Sequence, residues 1–332
     1  MEKILEKLAG LQNLDEKEMS ESIGRLADGN LDPATAGALL FGLRTKGETV
    51  EEIATTVEAM RRRMLKLGAS PDGAIDTCGT GGDGSGSFNI STAAAIVSAA
   101  AGAKIAKHGN RSASSKTGSA DLLEAAGVNI AMSSKTAANA LDEIGLTFLF
   151  APLYHPAMKN VVPVRKALKI RTVFNQIGPL LNPVMLKRQI IGTATDKMAD
   201  TTIKVCQKLG WEKVFVVHSS DGFDEISISA PTKLYKLENG SITSQLIDPS
   251  EFGFEPGEVG GADAKYNLKI LNDILDGKKS SYRDITVLNA AYALNLAGVA
   301  ADIKEGIAVA TDAIDSSAAK RKLAELVEYS RS

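Results

Sequence analysis

A chain of 332 residues that is 44% apolar but only 5% aromatic exceeds one small hydrophobic core and must pack mainly with Ala, Val, Ile and Leu. That composition excludes collagen, coiled coil and disorder and leaves one large α/β domain or a large domain with a smaller companion. Lys plus Arg total 38 and Asp plus Glu 40, a net charge of −2, so there is no global field to draw in nucleic acid or an acidic membrane surface, and anion binding has to be local.

Met1 to Lys7 carries an amphipathic helix pattern without an apolar h-region, so no signal peptide is expected. Asp15 with Glu18 and Thr49 with Glu52 have capping-box spacing, and Asp32 before Pro33 places a cap and an N1 proline ahead of an apolar run. Ile53, Val57, Met60 and Met64 fall on one helix face, and Arg61-Arg62-Arg63 reads as a solvated helix end. Around Ala69-Ser70-Pro71-Asp72-Gly73 the texture changes to short β-branched runs alternating with Ala-rich helices, the pattern of strands joined by helical crossovers. Strands are predicted near 74–78, 103–107, 147–151, 189–194 and 213–218, with helices near 91–101, 119–126, 134–144 and 198–209. Thr232 to Leu237 and Ser241 to Ile247 flank an Asn239-Gly240 turn as an antiparallel edge hairpin. From Asp263 the pattern is helical again, with Leu268, Leu271 and Leu275 at helical spacing. The expected architecture is therefore α/β: a small all-helical domain over 1–70 and a large α/β domain over 71–332 with a mostly parallel central sheet.

Chemistry concentrates at strand ends. Thirty glycines stand where an average chain of this length has about 23, and five of them lie between 79 and 86, in Asp76-Thr77-Cys78-Gly79-Thr80-Gly81-Gly82-Asp83-Gly84-Ser85-Gly86-Ser87-Phe88-Asn89-Ile90-Ser91-Thr92. Gly79, Gly81 and Gly84 match G-x-G-x-x-G, but the helix begins too late, the next strand ends on Lys107 rather than a ribose-binding acid, and Asp83 would face a pyrophosphate. No P-loop lysine follows. The layout suits backbone N–H groups and the hydroxyls of Ser87, Ser91 and Thr92 around an anion at a helix N-terminus. Gly84 to Ala103 is uncharged, but its polar first half rules out a membrane span. Cys78 reads as a buried strand residue. With Cys206 it forms no C-x-x-C, and the three histidines have no zinc spacing, which fits a reducing cytosol. Lys107-His108-Gly109-Asn110-Arg111-Ser112-Ala113-Ser114-Ser115-Lys116-Thr117-Gly118-Ser119 supplies a second anion loop, so the expected ligand has two phosphate groups. Beside such a ligand, Asp224 and Glu225 become natural Mg²⁺ partners.

The strings Gly79-Thr80-Gly81-Gly82-Asp83-Gly84, Asn89-Ile90-Ser91-Thr92, Lys107-His108-Gly109-Asn110-Arg111, Gly118-Ser119-Ala120-Asp121, His155-Pro156-Ala157-Met158-Lys159 and Asp221-Gly222-Phe223-Asp224-Glu225 resemble the anthranilate phosphoribosyltransferase family, in family order along essentially the whole chain. The resemblance implies the nucleoside phosphorylase/phosphoribosyltransferase type of fold, in which the small helical domain takes back a segment near 160–185, and a cytoplasmic homodimer in tryptophan biosynthesis. It implies transfer of the 5-phosphoribosyl group from phosphoribosyl pyrophosphate to the amino group of anthranilate, with Mg²⁺. Phosphoribosyl pyrophosphate would meet Gly79, Gly82, Asp83, Ser87, Asn89, Ile90, Ser91, Thr92, Lys107, His108, Gly109, Asn110, Arg111, Ser112, Ala113, Ser114, Ser115 and Ser119. Anthranilate would meet Gly79, Asn110 and Arg165, and the metal Ser91, Asp224 and Glu225. No general acid or base is expected; Lys107 acts electrostatically. Departures from the family pattern are Ser87 for Thr, and Ser219 and Lys169 for Gly. The nearest alternative of the same fold is a pyrimidine nucleoside phosphorylase, whose Lys-x-Ser-Gly-Arg type of loop differs from Lys107 to Arg111. A nucleic-acid-binding relative without transferase activity is a further one, and the net charge argues against it.

Overall fold

The N-terminal helices start where their caps dictate. In the computed structural model, which describes residues 1–70, 72–112 and 116–332, α1 (Glu2–Ala9) is followed by α2 (Glu16–Ala27), α3 (Pro33–Lys46) and α4 (Val50–Arg61). Asp15 accepts the Glu18 N–H at 2.8 Å while Glu18 accepts the Asp15 N–H at 3.0 Å, and Thr49 with Glu52 repeats the exchange. Glu52 is buried as well: its carboxylate takes the Leu14 N–H and the Lys46 ammonium, at 2.8 and 2.7 Å, which satisfies a charge that burial alone would penalise.

After β1 (Ala74–Ile75) come α5 (Ile90–Ala100), β2 (Lys104–Gly109), α6 (Ser119–Ala125), α7 (Ser134–Glu143), β3 (Leu146–Phe150), α8 (Ala151–Tyr154), α9 (Met158–Leu168), β4 (Arg188–Gly192), α10 (Asp196–Lys208), β5 (Lys213–Ser219), β6 (Thr232–Glu238) and β7 (Ser241–Ile247). The chain closes with α11 (Ala264–Leu275), α12 (Ser281–Ala297), α13 (Ile303–Asp315) and α14 (Ala318–Tyr329). Strands β1, β2 and β3 pair in parallel, as do β4 and β5, and a parallel bridge from Asp76 to Gln189 joins the two sets. β5, β6 and β7 run antiparallel, so the sheet is mixed at that edge. The β6–β7 turn has Asn239 at φ 52° and Gly240 at φ 75°, the paired positive values of a type I′ hairpin.

α5 explains the Ala-rich, aromatic-poor composition. Its residues from Ile90 to Ala99 are buried except Ser91, and it packs on α12, α13 and α14 as well as on β2. Small side chains let the helices approach closely: a Cβ on Gly306 would fall 2.7 Å from the Ala291 carbonyl. This places the N-terminus of α5 at the carboxyl ends of β1 and β2. A second core joins the N-terminal helices to Val161, Phe174 and Leu180 and continues through Ile203 to Val214 and Tyr235 of the sheet. No helix among the described residues is long and apolar enough to cross a membrane.

Two readings change. β1 ends at Ile75, not near 78, because the Asp76 carboxylate accepts the Thr77 N–H and turns the chain out of the ladder, leaving Cys78 off the strand. Arg61 is not a solvated helix end: its Nε and Nη2 both donate to the Leu180 carbonyl, at 3.1 and 2.8 Å, and its guanidinium lies over the Trp211 ring. Arg63 pairs with Asp28.

Candidate active site

Asp76 is fully buried and sets the exit of the glycine loop. Its Oδ1 accepts the Thr77 N–H at 2.7 Å, and its Oδ2 accepts the His108 N–H at 3.3 Å and the Asn182 Nδ2 at 2.9 Å, so one carboxylate ties the ends of β1 and β2 to the segment before β4. Burial pushes its pKa up to about 6 against the opposing pull of Lys107. The loop then rests on the ends of β4 and of the β5 turn: Thr80 N–H donates to the Gly192 carbonyl at 2.8 Å and Gly81 N–H to Asp224 Oδ2 at 2.9 Å. Gly79 fits because a Cβ there would stand 2.9 Å from Asp224 Oδ2, and Gly81 and Gly82 turn consecutively through φ 64° and 73°.

Lys107, 4% exposed, points its ammonium at the first turn of α5, with the Thr77 carbonyl at 3.1 Å and Ser91 Oγ at 3.3 Å. Ser91 N–H donates to Glu225 Oε1 at 3.2 Å. Around this one buried ammonium stand several acids. Burial, then the neighbouring Asp83 carboxylate, raises Asp224 to about 6, and burial with Asp224 beside it raises Glu225 well above the carboxylate range. Asp83 Oδ2 is buried with no donor among the described residues, and the Asp83 carboxyl lies within hydrogen-bonding reach of Asp224. Excess buried negative charge and an unsatisfied carboxylate oxygen call for a hard cation, and oxygen donors suit Mg²⁺. The acids do not form a closed cage. Among the described residues, the only trio of possible ligand atoms within 4.8 Å of one another is Asp76, Cys78 and His108. There Asp76 is already hydrogen-bonded and burial pushes the Cys78 thiol up to about 12, so that trio is structural. Mg²⁺ typically takes one or two carboxylates and completes its shell with water and substrate phosphate oxygens, which Asp224 and Glu225 match in number and type.

The second loop is tied to the first by a segment that sequence reasoning missed. Asn89 leaves the N-cap of α5 without a side-chain cap bond and donates instead to the Thr117 carbonyl at 3.1 Å. Asn267 on α11, 1% exposed, donates to Asn89 Oδ1 at 3.0 Å and accepts the Ala262 N–H at 2.8 Å, while Thr117 Oγ1 donates to the Ala262 carbonyl. Ser87 bridges to Gly260, and Ile90 is buried. An Asn among the leucines of an apolar helix face was the available signal. Arg111 turns its guanidinium to Asp121 and Glu124 and lies over the Phe150 ring. Asn110 is exposed, and its carbonyl receives Ser119 Oγ at 3.4 Å. Ala113, Ser114 and Ser115 lie outside the described residues.

His108 is buried with its Nε2 3.2 Å from His155 Nε2. Burial depresses both, His155 to about 4, so at neutral pH the rings are uncharged and one N–H donates to the other. On α9, Arg165 is half-buried and makes no side-chain hydrogen bond or ion pair with the described residues; burial lowers its pKa. Lys169 caps that helix at φ 54°, adopting the left-handed form of the glycine it replaces, and Ser219 stays in β5. Arg171, just beyond, donates to the Gly82 carbonyl. It carries no motif and was not anticipated.

This geometry, a glycine loop resting on buried acids beside the buried Lys107 ammonium, has relatives. A family model described as glycosyl transferase family, helical bundle domain, matches residues 2–64, and one described as glycosyl transferase family, a/b domain, matches residues 71–320. Anthranilate phosphoribosyltransferases from Thermoanaerobacter sp. and Methylobacterium radiotolerans are each 46% identical, over 100% and 98% of this chain and 99% and 95% of theirs. The crystal structure of anthranilate phosphoribosyltransferase from Thermus thermophilus aligns at TM-score 0.93 and 35% identity over 99% of each chain. The Saccharomyces cerevisiae enzyme in complex with PRPP and Mg aligns at 0.91 and 29%, over 99% of this chain and 97% of that one. Likeness of this extent, from the helical start to the last helix, leaves one assignment: the chain belongs to the anthranilate phosphoribosyltransferase family.

Proposed function

We propose that the chain transfers the 5-phosphoribosyl group from phosphoribosyl pyrophosphate to the amino group of anthranilate, giving N-(5-phosphoribosyl)anthranilate and pyrophosphate, a step of tryptophan biosynthesis. The observation that carries this reading is the meeting of Lys107, Ser91 and Glu225 at the N-terminus of α5, beside the glycine loop, in a chain of this family. Breaking the ribose C1–O bond leaves positive charge on the sugar and negative charge on the pyrophosphate, so the useful work is alignment and electrostatic stabilisation. The Lys107 ammonium and the loop N–H groups meet the departing charge. Asp224, Glu225 and Ser91 would hold Mg²⁺, which when bound supplies further charge for the phosphate oxygens. Anthranilate's aryl amine is a neutral nucleophile, and attack on C1 needs no prior deprotonation. That agrees with a site whose acids are held as hydrogen-bond acceptors or cation partners. The enzyme is read as a cytoplasmic homodimer with a small helical domain over 1–70, joined by a segment near 160–185, and a large domain over 71–332.

The test follows anthranilate fluorescence with phosphoribosyl pyrophosphate and Mg²⁺, each omitted in turn. Loss of signal is expected only when all are present, and no loss under any condition overturns the reading. Phosphorolysis of uridine or thymidine instead would establish the phosphorylase alternative. Arg165, without an ion pair among the described residues, offers a planar fork for the anthranilate carboxylate. Arg165→Ala should raise KM for anthranilate about tenfold or more, a lost charge-assisted pair, with KM for phosphoribosyl pyrophosphate nearly unchanged. Equal loss for both substrates would remove Arg165 from the anthranilate contact.

A further inference from the structure

Between β5 and β6 the chain over 220–231 forms neither helix nor strand, so the backbone around Asp224 and Glu225 needs partners other than a ladder. Ser227 ties part of it locally, its N–H donating to Thr232 Oγ1 at 3.1 Å and its Oγ to Asp221 Oδ2 at 2.6 Å. The next anchor comes from 63 residues further along, in the middle of α12. Asn289 Oδ1 accepts the Ile226 N–H at 3.0 Å and Nδ2 donates to the Ile226 carbonyl at 2.9 Å, so one amide holds both backbone groups of the residue next to Glu225. Nδ2 also donates to the Ile285 carbonyl one turn back, at 2.9 Å, which engages both of its hydrogens. Asn289 is 5% exposed in a stretch of α12 where Val287, Leu288, Ala290 and Ala291 are buried too, and an amide in such surroundings is costly unless it is bonded. The same helix lies along α5, and the Ala290 carbonyl, next in the chain, accepts Ser98 Oγ of α5 at 3.5 Å. The acids' backbone also presses on the end of β4, where a Cβ on Gly192 would overlap the Asp224 carbonyl oxygen. α12 therefore sets the acids and α5 in one frame, in which Glu225 meets the Ser91 N–H at 3.2 Å and Asp224 the Gly81 N–H at 2.9 Å.

We propose that Asn289 is a positioning residue for the cation site: by holding both backbone groups of Ile226 it fixes how Asp224 and Glu225 face the N-terminus of α5, its own amide being engaged by Ile226 and Ile285 rather than by metal or substrate. The proposal rests on the reading of function above, which gives the two acids to Mg²⁺. A Mg²⁺ titration of activity for Asn289→Ala, with backbone hydrogen exchange of the protein free of substrates and metal, tests it. The Mg²⁺ concentration giving half-maximal activity should rise about tenfold, as when a group that orients metal ligands is lost. At saturating Mg²⁺, kcat and KM for anthranilate should return to within about threefold of wild type, a recovery that general damage to the fold would not show. The Ser91 amide, held by Glu225, should exchange faster along with that of Ile226, while Val97 further along α5 keeps its wild-type rate. A folded variant with an unchanged Mg²⁺ titration, a loss that persists at saturating Mg²⁺, or Ser91 exchange that is no faster relative to Val97 each overturns the proposal. If the alanine variant does not fold, Asn289→Leu, which refills the space without the amide, carries the same comparison. An inactive wild type would overturn the reading of function, whereas exchange at Ser91 would still decide whether Asn289 positions Glu225.

Discussion

Lys107→Met is expected to lower kcat/KM by about a thousandfold, the cost typical of removing a donor aimed at developing negative charge, with most of the loss in kcat. Methionine is close in length and unbranched, so the packing around a residue 4% exposed is largely kept. What disappears is the ammonium that bridges the Thr77 carbonyl and Ser91 Oγ. That group also opposes the rise in the pKa values of Asp76 and Glu225, so its removal raises both further. A carboxyl whose pKa is higher folded than unfolded stabilises the fold fully below its unfolded pKa, and that contribution is lost as pH rises through the folded value. The variant's deficit in Tm relative to wild type should therefore be small near pH 5 and widen toward pH 8. A folded Lys107→Met with kcat/KM within tenfold of wild type would show that the ammonium does not meet the leaving group.

What the sequence discloses here is what is local. The caps at Asp15, Asp32 and Thr49 act over three residues, and each forms as its spacing requires. The Asn239-Gly240 turn is likewise decided by its own two residues. The anion loops are visible because glycines, hydroxyls and cations crowd into short stretches after predicted strands. Asp224 and Glu225 can be named as metal partners, but the contacts they make come from far along the chain and are not visible: Asp224 reaches Gly81 across 143 residues and Glu225 reaches Ser91 across 134, and Asn267, which reaches Asn89 across 178, carries no such mark. Arg61 shows the limit in the other direction. A cation at a helix end suits solvent by local rules, and only the arrival of Leu180 and Trp211 from elsewhere in the chain makes it a half-buried strap. Arg111 is similar, since composition suggests a cation for phosphate while the fold commits it to Asp121 and Glu124. Arg165 could be singled out only by family resemblance, because an arginine near the end of an amphipathic helix has no local mark of function.

Replacing Asp224 and Glu225 together by Asn and Gln should have opposite effects on activity and on stability. The substitutions keep shape, and each retains one accepting oxygen for the Gly81 and Ser91 N–H groups, at 2.9 and 3.2 Å in the wild type. They remove two acids held beside Asp83, whose own Oδ2 has no donor among the described residues. If these residues hold Mg²⁺, the concentration giving half-maximal activity should rise at least about a hundredfold, the upper end of what loss of a mere outer-shell partner costs. Without metal, the variant should be more stable than wild type at pH 8, by roughly 1–3 kcal/mol, because the neutral side chains carry no desolvation or repulsion penalty. The wild type loses this much as pH rises through the raised pKa of about 6 for Asp224, so the advantage should shrink toward pH 5. Mg²⁺ requires the ionised carboxylates and should stabilise wild type most above that range by mass action, while leaving the variant's Tm nearly unmoved. Thermal unfolding with and without Mg²⁺ at pH 5 and pH 8, beside a Mg²⁺ titration of activity, separates these effects. An unchanged titration would remove both residues from the metal site, and a variant destabilised at pH 8 would show that the acids are paired rather than opposed in the metal-free enzyme.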